Sequence, residues 1–198
     1  MVDNRVKAIE FDEENHKYWF TDSNGKHREL HGVTGAIGKL MGKSFPNTDV
    51  VKLATLYGSD VHKEVELYYN ENTNQLSTEG AKWVVQELTE RAKCRVHNSN
   101  VKIECELMVS DFEGTASKID VVMHTTDGAY LFDIKTTSHF DREYCSLQLS
   151  VYKKLFEQNY NEHVLGMYVL GTKSKRAFRI IQQEDSRVNK ILNMNKGV

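Results

Sequence analysis

Two aspartates and a lysine, Asp120, Asp133 and Lys135, offer the side chains that metal-assisted phosphodiester hydrolysis needs. Carboxylates are hard oxygen ligands that favour magnesium or manganese. A lysine ammonium is a compact cation that holds a water or steadies negative charge developing on a phosphate. Alone, an Asp-x-Lys is common by chance and describes an ordinary solvated strand face with an ion pair equally well. The argument therefore rests on what surrounds it.

The surrounding chain predicts a β-hairpin. Runs rich in β-branched and aromatic residues, 119–124 and 130–135, flank a segment ending in Asp127-Gly128, a favoured pair for a tight turn. With Asp127 and Gly128 as loop residues, Thr126 faces Ala129, Val122 faces Asp133 and Asp120 faces Lys135. Side chains alternate along a strand, so Asp120, Val122, Leu131, Asp133 and Lys135 share one face. Ile119, Val121, Met123, Tyr130, Phe132 and Ile134 form an apolar opposite face, read as the core side. Cross-strand neighbours lie roughly 5 to 8 Å apart, close enough for both aspartates to bind one cation.

Elsewhere the pattern alternates between strands and helices. Residues 8–11, 17–21 and 26–30 read as a small N-terminal hairpin or meander with an Asn24-Gly25 turn, in which nothing demands chemistry and His16, His27 and His31 face solvent. Thr34 caps a short helix over 35–41, and Pro46 sits in the following loop. Residues 48–69 read as a helix capped by Thr48 or Asp49, with Val51, Ala54, Tyr57, Val61, Val65 and Tyr68 apolar. On it Gly58, His62 and Glu66 stack on one face, so an imidazole ligand could be oriented by a carboxylate one turn on. Gly58 in mid-helix implies close packing against a neighbour. A helix over 77–93 is capped by Ser77. Strand 101–110 points Ile103, Cys105, Leu107 and Val109 inward and Glu104 and Glu106 outward. A helix over 141–158 has a core stripe of Tyr144, Leu147, Val151 and Leu155, with Gln148 and Tyr152 on its shoulder. Strands 163–171 and 176–182 and a helix over 185–193 complete the chain.

Composition sets the bounds. The chain has 198 residues, 39% hydrophobic and 27% charged, which fits one domain, or one domain with a small appendage. No apolar run approaches the ~20 residues of a membrane span and the N-terminus lacks a signal-peptide core, so a cytoplasmic, membrane-free protein is expected. Cys94, Cys105 and Cys145 show no Cys-x-x-Cys spacing and fit neither a disulfide framework nor a metal cluster. The net charge of −2 leaves nucleic-acid binding to local patches: Lys173, Lys175, Arg176 and Arg179, or Lys39 and Lys43.

Taken together, Gly58-x-x-x-His62, Asp120, Asp133-Ile-Lys135 and Gln148-x-x-x-Tyr152 resemble, in order and spacing, the motifs of the PD-(D/E)XK nuclease superfamily, in its RecB-like and phage-type exonuclease branch. The likeness covers most of 33–171, and Gly32-Val-Thr-Gly-Ala-Ile is similar to a Ser-Val-Thr segment found early in such proteins. The resemblance implies a mixed α/β fold: a restriction-endonuclease-like core with a central mixed sheet flanked by helices. Residues 33–198 would be the nuclease unit and 1–32 an appended β-hairpin. It implies Mg2+ or Mn2+ held by His62, Asp120, Asp133 and the Ile134 carbonyl, with Asp120, Asp133 and Lys135 catalytic. Gln148, Tyr152, Ser117 and Lys118 would bind substrate, and Glu66, Glu106 and Thr136 would support the site. The family's Gly-x-x-Asp is here Ser117-x-x-Asp120. The cysteines of an iron-sulfur cluster are missing, so none is expected. The implied activity is a metal-dependent DNA exonuclease of recombination, repair or phage DNA processing, with a recombinase, single-strand annealing protein or helicase as partner. The alternative is a non-catalytic nucleic-acid-binding or assembly protein that keeps the fold.

Overall fold

The computed structural model describes residues 2–43, 49–94 and 100–196. Pro46, Thr48 and the side chains of residues 49–52, which include Asp49 and Val51, lie outside the described residues. The chain begins with a 3-10 turn, Asn4–Ala8, followed by three antiparallel strands, β1 (Ile9–Asp12), β2 (Lys17–Thr21) and β3 (His27–Gly32). Both turns are tied by aspartates: Asp12 accepts hydrogen bonds from the Asn15 backbone and side chain, and Asp22 from the amides of Asn24 and Lys26. Then come α1 (Val33–Leu40), α2 (Asp49–Asn70), α3 (Glu79–Lys93), β4 (Lys102–Ser110), β5 (Thr115–Thr125) and β6 (Gly128–Lys135). The crossover helix α4 (Arg142–Tyr160) leads to β7 (Val164–Gly171), which lies parallel to β6; β8 (Arg176–Ile180) and α5 (Asp185–Asn195) follow.

These strands make one mixed eight-stranded sheet in the order β1-β2-β3-β5-β6-β7-β8, with β4 on the other edge of β5. The meander is continuous with it, because His31 and Gly32 of β3 pair in parallel with Thr115 and Ala116 of β5. Helices cover both faces. On one, α1, α4 and α5 pack over Val122, Leu131, Met167 and Val169. On the other, α2 and α3 pack over Val121, Met123, Phe132 and Ile134. A third cluster seats the meander, through Tyr18, Phe20 and Leu30, on Phe112 and Ala116. The architecture is a mixed α/β fold with a central mixed sheet, flanking helices and an N-terminal antiparallel unit.

Several expectations need correction. The hairpin closes differently: Thr125 pairs with Gly128, so Thr126 and Asp127 form the turn, and Val122 lies opposite Leu131 rather than Asp133. Gly128 serves the neighbouring strand instead. At φ +141°, a Cβ there would lie 2.4 Å from the His163 carbonyl, to which Ala129 donates its amide hydrogen. The slip is two residues, an even number, so the side chains of the paired stretch from Val121 onward keep their faces. Nor is only one face buried. Val122 and Leu131, on the aspartates' side, are as inaccessible as Val121 and Phe132, because α4 covers them.

In β4 the strict alternation fails at Glu106. Its φ of +54° reverses the strand, so Ile103 and Cys105 face α2 and α3 while Leu107 and Val109 face α1, α4 and α5. Ile119 on β5 makes the same switch. On β5, Val121 and Met123 face α2 and α3, whereas Ile119 does not. Helix starts also move. Gly32, not Thr34, precedes α1, and Thr78, not Ser77, caps α3 by accepting the Ala81 amide hydrogen bond, while Glu64 accepts from the amides of both Ser77 and Thr78. Ala54 is exposed, so the apolar stripe of α2 is effective only from Tyr57 onward. His31 is half-buried rather than solvated.

Candidate metal centre

The site lies where one edge of β5 is left unpaired. On that edge β3 pairs with β5 only as far as Ala116 and β6 only from Val121 onward. Between them the Asp120 carboxylate replaces a strand: its Oδ2 accepts a 2.7 Å hydrogen bond from the Ile134 amide. On the opposite edge, the β4 pairing skips Glu106 and Asp120, where Glu106 takes its left-handed conformation. Non-glycine residues tolerate that region at a cost of about 1 kcal/mol or more, and such strain collects at functional sites.

Helices bring the remaining groups from opposite faces. From α2, His62 places Nε2 3.2 Å from the Ile134 carbonyl and Nδ1 3.7 Å from Asp120 and 3.9 Å from Glu106. Gly58, one turn earlier, allows this approach, since a Cβ there would stand 3.0 Å from Thr136 Oγ1. From α4, Gln148 Nε2 donates to Tyr152 Oη at 3.1 Å, and Tyr152 shares a 3.0 Å hydrogen bond with Ser117. Lys135 Nζ donates to Asp133 at 2.9 Å and, at 3.5 Å, to Gln148 Oε1. A cleft of about 640 Å3 opens onto His62, Ser117, Asp120, Gln148 and Tyr152.

The sequence-derived residues converge, but their roles are redistributed. Among the described residues, the ligand atoms of His62, Glu106 and Asp120 lie within 4.8 Å of one another. Glu106 thus belongs to the group that could hold a metal ion. Asp133 is engaged by Lys135, although its buried Oδ2, within 2.9 Å of that ammonium, accepts no well-aligned hydrogen bond and keeps acceptor capacity. Glu66 does not orient His62; it pairs with Lys63 at 3.0 Å. Ser117 is buried against Tyr152, while Lys118 sits 4.0 Å from Glu106. In the sequence-derived basic patches, Lys43 pairs with Asp141 and Lys173 lies over the Tyr57 ring. Cys105 and Cys145 are buried, with burial pushing both thiols up, and Cys94 is exposed.

Electrostatics follow from crowding acids in a dry crevice. Burial raises the Asp120 carboxyl, against the pull of His62. Burial also raises Asp133, to about 6, against the attraction of Lys135. For His62, burial opposes the charge, but Asp120 and Glu106 overcome it and lift the imidazole to about 9. Lys135 is likewise held above its usual range, burial being outweighed by Asp133 and Asp120. Excess negative charge that retains protons is what a divalent cation would relieve. The donors fit one: two ligands at right angles, each ~2.1 Å from magnesium, stand ~3.0 Å apart, close to the separation of His62 Nε2 and the Ile134 carbonyl.

The cleft residues of the meander, Phe11, His16 and Tyr18, escaped the sequence reading. Tyr18 on β2 is 3% exposed and its phenol is raised to about 12, chiefly by burial and then by Glu106. The signal was present as the alternating burial of β2, but only the β3–β5 pairing brings that strand to the site. A search with protein-family models finds no match to the chain, and a search of curated protein sequences finds none at significant similarity.

Proposed function

We propose that the chain is a metal-dependent deoxyribonuclease of the PD-(D/E)XK type, acting as an exonuclease with Mg2+ or Mn2+. The observation that carries this reading is the meeting of His62, Glu106, Asp120, the Ile134 carbonyl and the Asp133-Lys135 pair, from four separate elements, beside the cleft that His62, Glu106 and Asp120 line. His62, Asp120 and Glu106 would hold the cation with the Ile134 carbonyl, and Asp133 would join them. When bound, the cation would polarise the phosphodiester and lower the pKa of the attacking water.

The protein's own groups do the rest. Lys135 stays cationic across the neutral range, so it acts as an electrostatic group rather than a base. Between Asp133 and Gln148 its ammonium is aimed where it can orient a water and stabilise charge gathering on phosphate oxygens. Gln148, Tyr152 and Ser117 form a hydrogen-bonded chain that keeps that lysine and the strand in place.

The test is degradation of end-labelled DNA with magnesium or manganese. Asp120→Ala, Asp133→Ala and Lys135→Ala should each lower the rate by roughly 100-fold or more. Full activity in all three folded variants would refute the reading.

A further inference from the structure

We infer that the β1–β2 turn is a base-stacking platform, and that the substrate strand enters the cleft single-stranded with a nucleobase against Phe11 and His16. The inference rests on the nuclease reading for the identity of the ligand as DNA. Phe11 and Tyr18 are cross-strand partners, with ring centroids 4.7 Å apart. His16, exposed and at φ +53°, stands edge-on to Phe11 at 5.2 Å. Tyr18 is buried as the floor, whereas Phe11 remains half-exposed at the cleft wall. Asp12 ties the turn at Asn15, so the platform is set before any ligand arrives.

Charge strengthens the argument. The cleft lining sets Lys63 and Lys118 against Glu13, Asp60, Glu66, Glu106 and Asp120, and Lys63 is already paired. Such a wall cannot hold a polyanion by counterion release alone. An aromatic face supplies sequence-tolerant affinity instead, because every base presents a π-surface once unpaired. Lys118 lies over the Phe11 ring, its ammonium 4.1 Å from the ring centre and 4.0 Å from Glu106. A base that stacks on Phe11 displaces that ammonium, which is then free to meet the adjoining phosphate next to the proposed cation ligands. Bases in the interior of a duplex offer no face to this wall.

The experiment measures binding, with manganese, of a hydrolysis-resistant phosphorothioate oligothymidylate, its abasic counterpart and the same strand in a duplex. Wild-type protein should prefer the base-bearing single strand over the other two by roughly tenfold or more. Phe11→Leu, which keeps apolar packing, and His16→Ala, at an exposed position, should each remove most of that preference. Equal preference in the Phe11→Leu/His16→Ala double variant and the wild type would overturn the proposal. Base-dependent binding that disappears in the double variant, with no cleavage of unmodified DNA by wild type, would refute the nuclease reading and leave the platform standing. Cleavage with base preference untouched by the double variant would do the reverse.

Discussion

Glu106 shows how one residue serves two demands. Its left-handed backbone turns β4 over and lets its carboxylate meet His62 and Asp120, at a conformational cost that glycine would not incur. Glu106→Gly should therefore raise thermal stability by about 1 kcal/mol in metal-free protein while weakening manganese binding; unfolding curves and calorimetry read the two effects separately. Protons report on the same cluster. A cation must displace the proton that His62 keeps to about pH 9 and the one Asp133 keeps to about 6. Apparent manganese affinity should rise as pH climbs from about 6 to 9, with proton release visible as a buffer-dependent binding heat. A pH-independent affinity would remove His62 from the ligand set. Without metal the signs run the other way. His62 binds its proton more tightly folded than unfolded, so its contribution is complete below about 6.5 and is lost through about 9. Asp133, raised from 3.8, begins to oppose folding above about 4 and does so fully above 6. Both make metal-free protein less stable as pH rises, which denaturation in the presence of a chelator would measure.

At the scale of elements, the helix-sheet contacts depend on glycines whose effects should differ. Gly80 lies where α3 crosses α2, and a Cβ there would come within 2.9 Å of a Val61 methyl and 3.0 Å of the Tyr57 hydroxyl. Gly80→Ala should cost about 1–2 kcal/mol by overpacking, seen as a lower denaturant midpoint with an unchanged slope. At Gly58 the gain in helix propensity, up to ~1 kcal/mol, offsets crowding against Thr136. Gly58→Ala should leave stability nearly unchanged but displace the segment just after Lys135, lowering the cleavage rate. A loss of stability without loss of rate would show that Gly58 packs only as scaffold.

At the scale of the molecule, the candidate cleft lies at a gap in the pairing along one edge of β5, and the N-terminal meander is one of its walls. β3 pairs with β5, and Tyr18, Phe20 and Leu30 share a core cluster with Phe112 and Ala116. Removing residues 2–32 should expose that cluster and the β5 edge, giving an aggregating or poorly folded chain rather than a trimmed enzyme. A soluble product with a cooperative melting transition would show that the remainder folds alone.

Much of the site was legible locally. Asp120, Asp133 and Lys135 were recognisable because period-two alternation fixes which residues share a strand face, and Gln148 and Tyr152 because a four-residue spacing returns to the same side of a helix. The even slip of the hairpin shows why this survives error: parity sets the face, whereas the partner depends on turn geometry and on the neighbouring strand at His163. What tertiary structure decided is everything that joins residues far apart in sequence. That Glu106 rather than Glu66 meets His62 follows from a left-handed backbone that no periodicity announces. That Phe11, His16 and Tyr18 border the cleft follows from a two-residue parallel pairing between β3 and β5, too short to leave a pattern in the chain. Local periodicity records which way a side chain points; only long-range pairing determines what it points at.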